Sequence, residues 1–376
     1  MAKERKKIMD KKREKTIKAI CDSMNKSLVN KDSKGGAITY LGSNDVEHLE
    51  RFSSGCSQLD DVLGGGWPLG RLHEIYGSES SGKTTLCYHA IAEFQKKCPE
   101  HDAAWIDSEY SFDPEYAERL GVEIEPIIFQ QPEDGEQALD AVRGLLQRGV
   151  KLIIIDSTAA LTPRAESEGE MGDQQMGLQA RMLSKAMRLL AKEIGRANAC
   201  VIFTNQVREK IGVMFGKKTT TPGGRAIRFY SSIRIDLQTL NQEKDGEEVV
   251  AVKVRATCVK NKTASPFRVC AFTITFGQGI DAIAGLFEAA IDAKVIEKSG
   301  SWFSCGEERL GQGKQNVLAS MRDNEYVCEK IQKALDEKLA KKTKESSGTK
   351  EEEASPAKEE IQRVPVESEE VTVEDA

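Results

Sequence analysis

An octapeptide set between an apolar strand and an amphipathic helix leaves this chain few folds to choose from. GSESSGKT, Gly77–Thr84, matches G-x-x-x-x-G-K-[ST]; LHEIY precedes it and TLCYHAIAEFQKK follows. Glycines let such a loop curl until successive N–H groups point at phosphate oxygens, and the helix N-terminus adds its positive end. Gly77, Ser78, Glu79, Ser80, Ser81, Gly82, Lys83, Thr84 and Thr85 are therefore read as a nucleotide cradle. Lys83 is expected to reach the β- and γ-phosphates, and the Thr84 hydroxyl to ligate magnesium. A loop of this kind belongs to an α/β domain with a mostly parallel sheet flanked by helices.

The surrounding pattern agrees. Apolar strands RLHEIYG, AAWIDSE, KLIIID, ACVIFTN, SIRIDL, VVAVKVRATCVK and VCAFTITF alternate with helical stretches in the first half and follow one another closely in the second. Leu183, Met187, Leu190 and Ile194 form the apolar stripe of a long helix, a packing feature. Asp156 ends KLIIID beside the cradle, where a carboxylate holds magnesium through its water shell. Glu109, at the end of AAWIDSE, is the expected base that orients a water for attack on the γ-phosphate. Asp107 and Asp113 compete for that role, and Asp113 also stands with Tyr116 among the nucleotide contacts. Spacing alone leaves Tyr116 either stacked on a base or lying on a helix surface. Gln206 closes the ACVIFTN strand and should face the γ-phosphate.

With 376 residues the chain has room for one large domain and smaller attachments. Residues 1–48 read as a basic amino-terminal segment, with Ile17, Ile20, Met24 and Leu28 at helical spacing and a short strand in GGAITYLG. This piece is too small for its own core and is expected to serve oligomerisation. Residues 49–276 form the core, 277–340 a small carboxyl-terminal domain whose visible signals are helical, and 341–376 an acidic, disordered tail. No apolar run approaches membrane-spanning length, and the basic start lacks the apolar stretch of a secretory signal, so a cytoplasmic protein is expected. Nine cysteines without a C-x-x-C pair argue for reduced thiols and against zinc.

The formal net charge of −6 hides an uneven distribution. Residues 351–376 carry ten acids against Lys358 and Arg363, a net of −8, so the other 350 residues sum to +2. An acidic total therefore does not exclude a polyanionic partner. The stretch 207–228 is the opposite case: Arg208, Lys210, Lys217, Lys218, Arg225 and Arg228 face one acid, Glu209, for a net of +5 over 22 residues. Gly212, Gly216, Gly223 and Gly224 loosen it, and Ile211, Met214 and Phe215 offer apolar side chains to bases. Basic groups on phosphate with apolar groups on bases is how single strands are held without sequence preference. Because the stretch follows Gln206 directly, nucleotide state can gate it.

The runs GSESSGKTTL, ALTPRAESEGEMGDQQMGLQARM, NQVREKIGVMFG and VKNKTASPF, in this order and spacing, resemble the bacterial RecA recombinase family, from about Gly36 to about residue 340. The resemblance implies a RecA-type core, a small α+β carboxyl-terminal domain, and ATP and Mg2+ as cofactors. It implies a protein that polymerises on single-stranded DNA, pairs it with homologous duplex DNA and exchanges strands. It further implies a filament that stimulates self-cleavage of a LexA-type repressor. By the same resemblance Glu109, Tyr116 and Gln206 are catalytic glutamate, adenine platform and nucleotide sensor. The second DNA loop takes in Arg208, Ile211 as base-separating wedge, Gly212, Val213, Met214, Phe215, Lys217, Lys218, Gly223, Gly224 and Arg225. The first spans 168–176, including Gly169 and Met176, with Arg181 and Arg188 behind it.

Acids at 166, 168, 170 and 173 make that first segment an awkward partner for a polyanion, so backbone N–H groups at Gly169 and Gly172 are the expected contacts. Lys260 and Lys262, which alone read as a solvated basic face, become groups reaching a neighbour's γ-phosphate, and Phe229 an aromatic contact between subunits. Thr219 stands where the family commonly has an acid, and the basic amino-terminal segment is longer than usual. Two other readings compete with a recombinase: a hexameric helicase or branch-migration motor of the same ATPase class, and a regulatory filament scaffold whose ATPase is incidental.

Overall fold

The computed structural model describes residues 2–28, 38, 40, 49–170, 177–209, 219–306, 308–324, 326–335 and 338. In chain order the first elements are α1 (Ala2–Leu28), β1 (Arg51–Phe52), α2 (Ser57–Leu63), β2 (Trp67–Pro68), β3 (Arg71–Gly77), α3 (Lys83–Lys97), β4 (Ala103–Asp107) and α4 (Pro114–Arg119). Then come β5 (Ile128–Gln130), α5 (Gly135–Gln147), β6 (Leu152–Asp156), α6 (Arg164–Ser167), α7 (Leu178–Ala197), β7 (Cys200–Gln206), β8 (Arg208–Glu209) and β9 (Thr219–Thr220). The rest are α8 (Ala226–Tyr230), β10 (Ile233–Asp245), β11 (Glu248–Asn261), β12 (Val269–Thr275), β13 (Gly279–Ile280), α9 (Ala282–Asp292), β14 (Ile296–Ser299), β15 (Trp302–Cys305), β16 (Glu308–Gln312) and α10 (Lys314–Asp323).

One nine-stranded sheet organises the larger unit, in the order β13-β12-β11-β10-β3-β7-β6-β4-β5. Strands from β10 to β5 run parallel, and β11, β12 and β13 extend them as an antiparallel meander. Sequence reading and structure agree on this α/β class. The apolar runs explain it: in β6, Leu152 and Ile154 enter the core against α3, whereas Ile153 and Ile155 enter the core against α5 and α7. In β7, Cys200 and Ile202 take the first side, and Val201 and Phe203 the second. A strand buried on both faces loses polar alternation, which is why LIIID and CVIF read as continuous. Leu183, Met187, Leu190 and Ile194 are all buried on the inner stripe of α7, as their spacing predicts.

The chain divides into two compact units, 1–289 and 290–376. The second has its own core of Ile296, Phe303, Leu310, Val317, Leu318 and Met321, built on the antiparallel sheet β14-β15-β16 and α10. The α+β character implied by the family resemblance holds, although the residues themselves gave helical signals alone there; each strand is four or five residues long, with Gly300 or Gly306 between neighbours. The amino-terminal helical stripe lies in α1, with Ile20 and Met24 exposed. Of the strand expected in GGAITYLG, residues Ile38 and Tyr40 alone are described, and neither is in a strand. The tail 341–376 lies outside the described residues. All nine cysteines are free, and among the described residues no cluster of metal-ligating side chains of three or more occurs.

Candidate functional site

The loop between β3 and α3 sits at the carboxyl edge of the sheet, where the parallel register brings the other strand ends level with it. Gly77 lies opposite Gln206 across β3 and β7, and Asp107 opposite Asp156 across β4 and β6. Ser80 at φ +54° and Gly82 at φ +86° turn the loop through left-handed conformations, which aims successive N–H groups inward. A side chain at Gly82 would be strained by its φ of +86° and would have to displace the tip of Ile274. Residues 80–85, Asp113, Tyr116, Arg119, Val252, Ile274, Phe276 and Gly277 line a cavity of about 420 Å³. A cleft of this size, with a cradle of N–H groups at one end and aromatic rings at the other, suits a nucleotide.

Lys83 folds over its own loop, donating to Ser78 O at 2.8 Å. Burial lowers its pKa and the nearby Asp156 and Glu109 carboxylates oppose that shift. Thr84 Oγ1 donates to Asp156 Oδ2 at 2.7 Å, and Thr204 Oγ1 donates to Asp156 Oδ1 at 2.5 Å. Asp156 is 1% exposed; burial pushes its carboxyl up, and the two hydroxyl donors hold it down. A desolvated carboxylate beside a threonine hydroxyl and a phosphate cradle is a fitting donor set for a hard divalent cation.

Glu109 lies two residues past the end of β4, tethered where its N–H donates to Asp156 O at 3.2 Å. Its Oε1 accepts from the Ser157 hydroxyl and, at 3.1 Å, from Gln206 Nε2. The rivals are otherwise engaged. Asp107 is fully buried and accepts from the N–H groups of Ser111 and Phe112 and from Gln131 Nε2 at 3.0 Å. Asp113 caps α4 by accepting from the Tyr116 N–H at 3.0 Å. Tyr116 turns its hydroxyl to within 3.2 Å of Thr85 Oγ1, with Arg119 over its ring at 5.8 Å. Tyr116 is among the residues that line the cavity. Val252, Ile274, Phe276, Gly277 and Thr204 joined the site unannounced. Val252 and Ile274 come from strands distant in sequence, and Phe276 and Gly277 from the turn after β12, so the sheet order alone could have revealed them.

Lys260 and Lys262 do not line this cavity. Lys260 Nζ donates to Arg228 O at 2.8 Å and Phe229 O at 2.9 Å, and its pKa is lowered to about 8 by burial, then by the charges of Lys262 and Arg234. Lys262 follows the end of β11, and Phe229 is 62% exposed. These three make a surface separate from the chain's own cradle.

The two sequence segments read as DNA loops meet at their bases. Arg208 pairs with Thr220 and Glu209 with Thr219 in the β8-β9 ladder, which closes the root of the second loop. On its return, Gly223 at φ +82° packs so tightly on α7 that a Cβ would lie 2.5 Å from Leu183 Cδ1. Arg181 and Arg188 are exposed on that same helix, as are Gly224 and Arg225 on the returning segment; Gly169 precedes it. Met176, Ile211, Gly212, Val213, Met214, Phe215, Lys217 and Lys218 lie outside the described residues.

Comparison with known proteins bears on this arrangement. The family profile described as the RecA N-terminal domain matches residues 18–281, and that of the RecA C-terminal domain matches 284–340. The proteins named Protein RecA from Staphylococcus aureus strains JH9 and Newman are each 45% identical over 331 residues, covering 88% of this chain and 93% of theirs.

Proposed function

This chain belongs to the RecA family, and from that footing we propose that it is an ATP-dependent DNA recombinase, a DNA-dependent ATPase that assembles on single-stranded DNA and exchanges strands with a homologous duplex. The observation that carries the reading is the hydrogen-bond chain Ser157–Glu109–Gln206, which ties the expected water-orienting carboxylate to the residue at the root of the basic loop.

ATP and Mg2+ are the cofactors we assign. Lys83 and the N–H groups of residues 80–85 hold the phosphates, and Thr84 and Asp156 the cation, which when bound neutralises phosphate charge. Tyr116, with Asp113 near the ribose end, supports the base. Glu109 accepts a proton from, and so orients, the attacking water, while Gln206 can either hold Glu109 or turn to the phosphate. That choice makes the loop's seat dependent on nucleotide state. Arg181, Arg188, Arg208 and Arg225 track DNA phosphates, and Lys260, Lys262 and Phe229 meet a neighbouring copy in a helical filament. A LexA-type repressor as further partner, a cytoplasmic location, and a division into 1–48, 49–276, 277–340 and 341–376 complete the proposal. For the location the support is that, among the described residues, no helix is long and apolar enough to cross a membrane.

The test is ATP turnover with and without single-stranded DNA, with the same samples imaged for filaments. DNA-stimulated turnover on helical filaments, lost in Lys83→Ala and reduced in Lys260→Ala with Lys262→Ala, is the expected result. DNA-independent turnover on closed rings would replace the recombinase with a motor.

A further inference from the structure

Asn205, buried at the end of β7, uses its whole side-chain amide. Its Oδ1 accepts from the Gln206 N–H at 3.0 Å, and its Nδ2 donates to Glu74 Oε1 at 3.1 Å and to Pro222 O at 3.3 Å. A primary amide has two N–H donors, so both are committed. Glu74 is fully buried in β3, three residues before the phosphate loop begins, and its other oxygen is held by the Arg234 guanidinium. Arg234 is 7% exposed, rests 4.6 Å over the Tyr76 ring, and lies directly opposite Lys260 in the β10-β11 ladder.

A buried ion pair is a poor stabiliser compared with apolar residues of the same volume, so packing alone does not account for this one. What the pair does have is position. Without a break, polar contacts run from Pro222, where the basic loop returns, through Asn205 to Glu74 and Arg234 beside Lys260, and Asn205 also grips the backbone of Gln206. Both Asn205 Nδ2 donors and both Glu74 carboxylate oxygens are engaged, so moving Pro222 away leaves a buried N–H unmatched. Packed interiors shift between discrete arrangements instead of deforming smoothly.

We infer that Asn205 is a positioning residue that clamps the nucleotide sensor and the return of the basic loop to the buried Glu74–Arg234 pair, so that DNA seating, Gln206 and the strand of Lys260 shift together. It touches neither nucleotide nor DNA; it transmits. This inference rests on the recombinase reading, because it needs a loop that binds DNA.

The test compares the affinity of the full-length chain for a fluorescently labelled single-stranded oligonucleotide in the presence of a slowly hydrolysed ATP analogue and of ADP. The ratio of the two affinities measures coupling, typically about 5- to 150-fold in allosteric proteins. Asn205→Ala should cut that ratio by about tenfold, while affinity for a fluorescent nucleotide and DNA affinity in ADP stay within about twofold. A merely structural role would lower all three together. Should Asn205→Ala not fold, as judged by its thermal melt, Asn205→Ser retains a donor, and Arg234→Lys retains a charge for Glu74; either is expected to reduce the ratio. An unaltered ratio in a folded variant overturns the inference and leaves the recombinase reading standing. If the unaltered chain itself shows no nucleotide-dependent DNA affinity, the recombinase reading fails and this inference with it.

Discussion

Thr204→Val isolates the chemistry of the Asp156 carboxylate, proposed to hold the cation, from its packing, since valine keeps the shape of threonine and loses the hydroxyl. Thr204 Oγ1 reaches Asp156 Oδ1 at 2.5 Å, and with Thr84 on Oδ2 at 2.7 Å it supplies the donors that oppose the cost of burying the charge. A hydrogen bond to a charged group is worth about 1.5–3 kcal/mol, so losing this one should raise the Asp156 carboxyl further above its ordinary value. The sign follows directly. A carboxyl of higher pKa is protonated at higher pH, so magnesium-dependent turnover in Thr204→Val must fail earlier as pH is lowered. Loss of an outer-shell partner also releases the carboxylate's orientation, at about 10- to 100-fold in metal affinity. The assay is ATP turnover against magnesium concentration at a series of pH values. In the metal-free protein the same raised carboxyl makes stability fall as pH rises from the unfolded carboxyl value through the folded one, and the variant extends that window upward. A variant that folds normally, with a magnesium midpoint within about twofold of the parent at every pH, would refute the assignment of Asp156 as a cation-holding group tuned by Thr204.

Two further outcomes follow from the site. Lys260, with its pKa lowered to about 8, loses its charge as pH rises through that value, so DNA-stimulated turnover should decline on the alkaline side. Lys260→Arg, charged throughout, should move that decline upward in a pH–rate profile, and an unmoved limb would acquit Lys260. Gly223→Ala places a methyl 2.5 Å from Leu183 Cδ1 at φ +82°, a strain of about 1–3 kcal/mol. Single-stranded DNA affinity should drop about 5- to 100-fold while nucleotide affinity is retained, as read by titration of labelled oligonucleotide and labelled nucleotide.

The cradle was legible because its chemistry is local: eight consecutive residues, a strand before and a helix after. Asp156 and Gln206 close parallel strands and Glu109 follows one by two residues, so all three could be placed together from sequence as candidates, since a parallel sheet presents its carboxyl edges together. Thr204 was not legible, because a hydroxyl in an apolar run carries no signal until the neighbouring strand is known. Phe276 and Gly277 depend on β12 lying two strands from β10, which sequence order does not announce. The strands β14–β16 were expected from the family resemblance and not from the residues themselves, because each is four or five residues long, below the length at which alternation can be read.

Asn205 shows why the hidden part matters. In sequence it is one polar residue closing an apolar strand, the place where asparagine most often begins a turn. Its meaning depends on three strands at once: β7 supplies it, β3 supplies Glu74, and β10 supplies the Arg234 that makes a buried carboxylate tolerable. The same register sets Gly77 level with Gln206 and Arg234 level with Glu74, so the phosphate loop, the sensor and the strand leading to Lys260 hang on one central strand, β3. On the proposed function, a nucleotide that moves Gln206 would act on a sheet edge with the basic loop on one side and Lys260 on the other. Coupling between DNA and a neighbouring copy is, on this argument, a property of sheet order more than of the loop's own sequence.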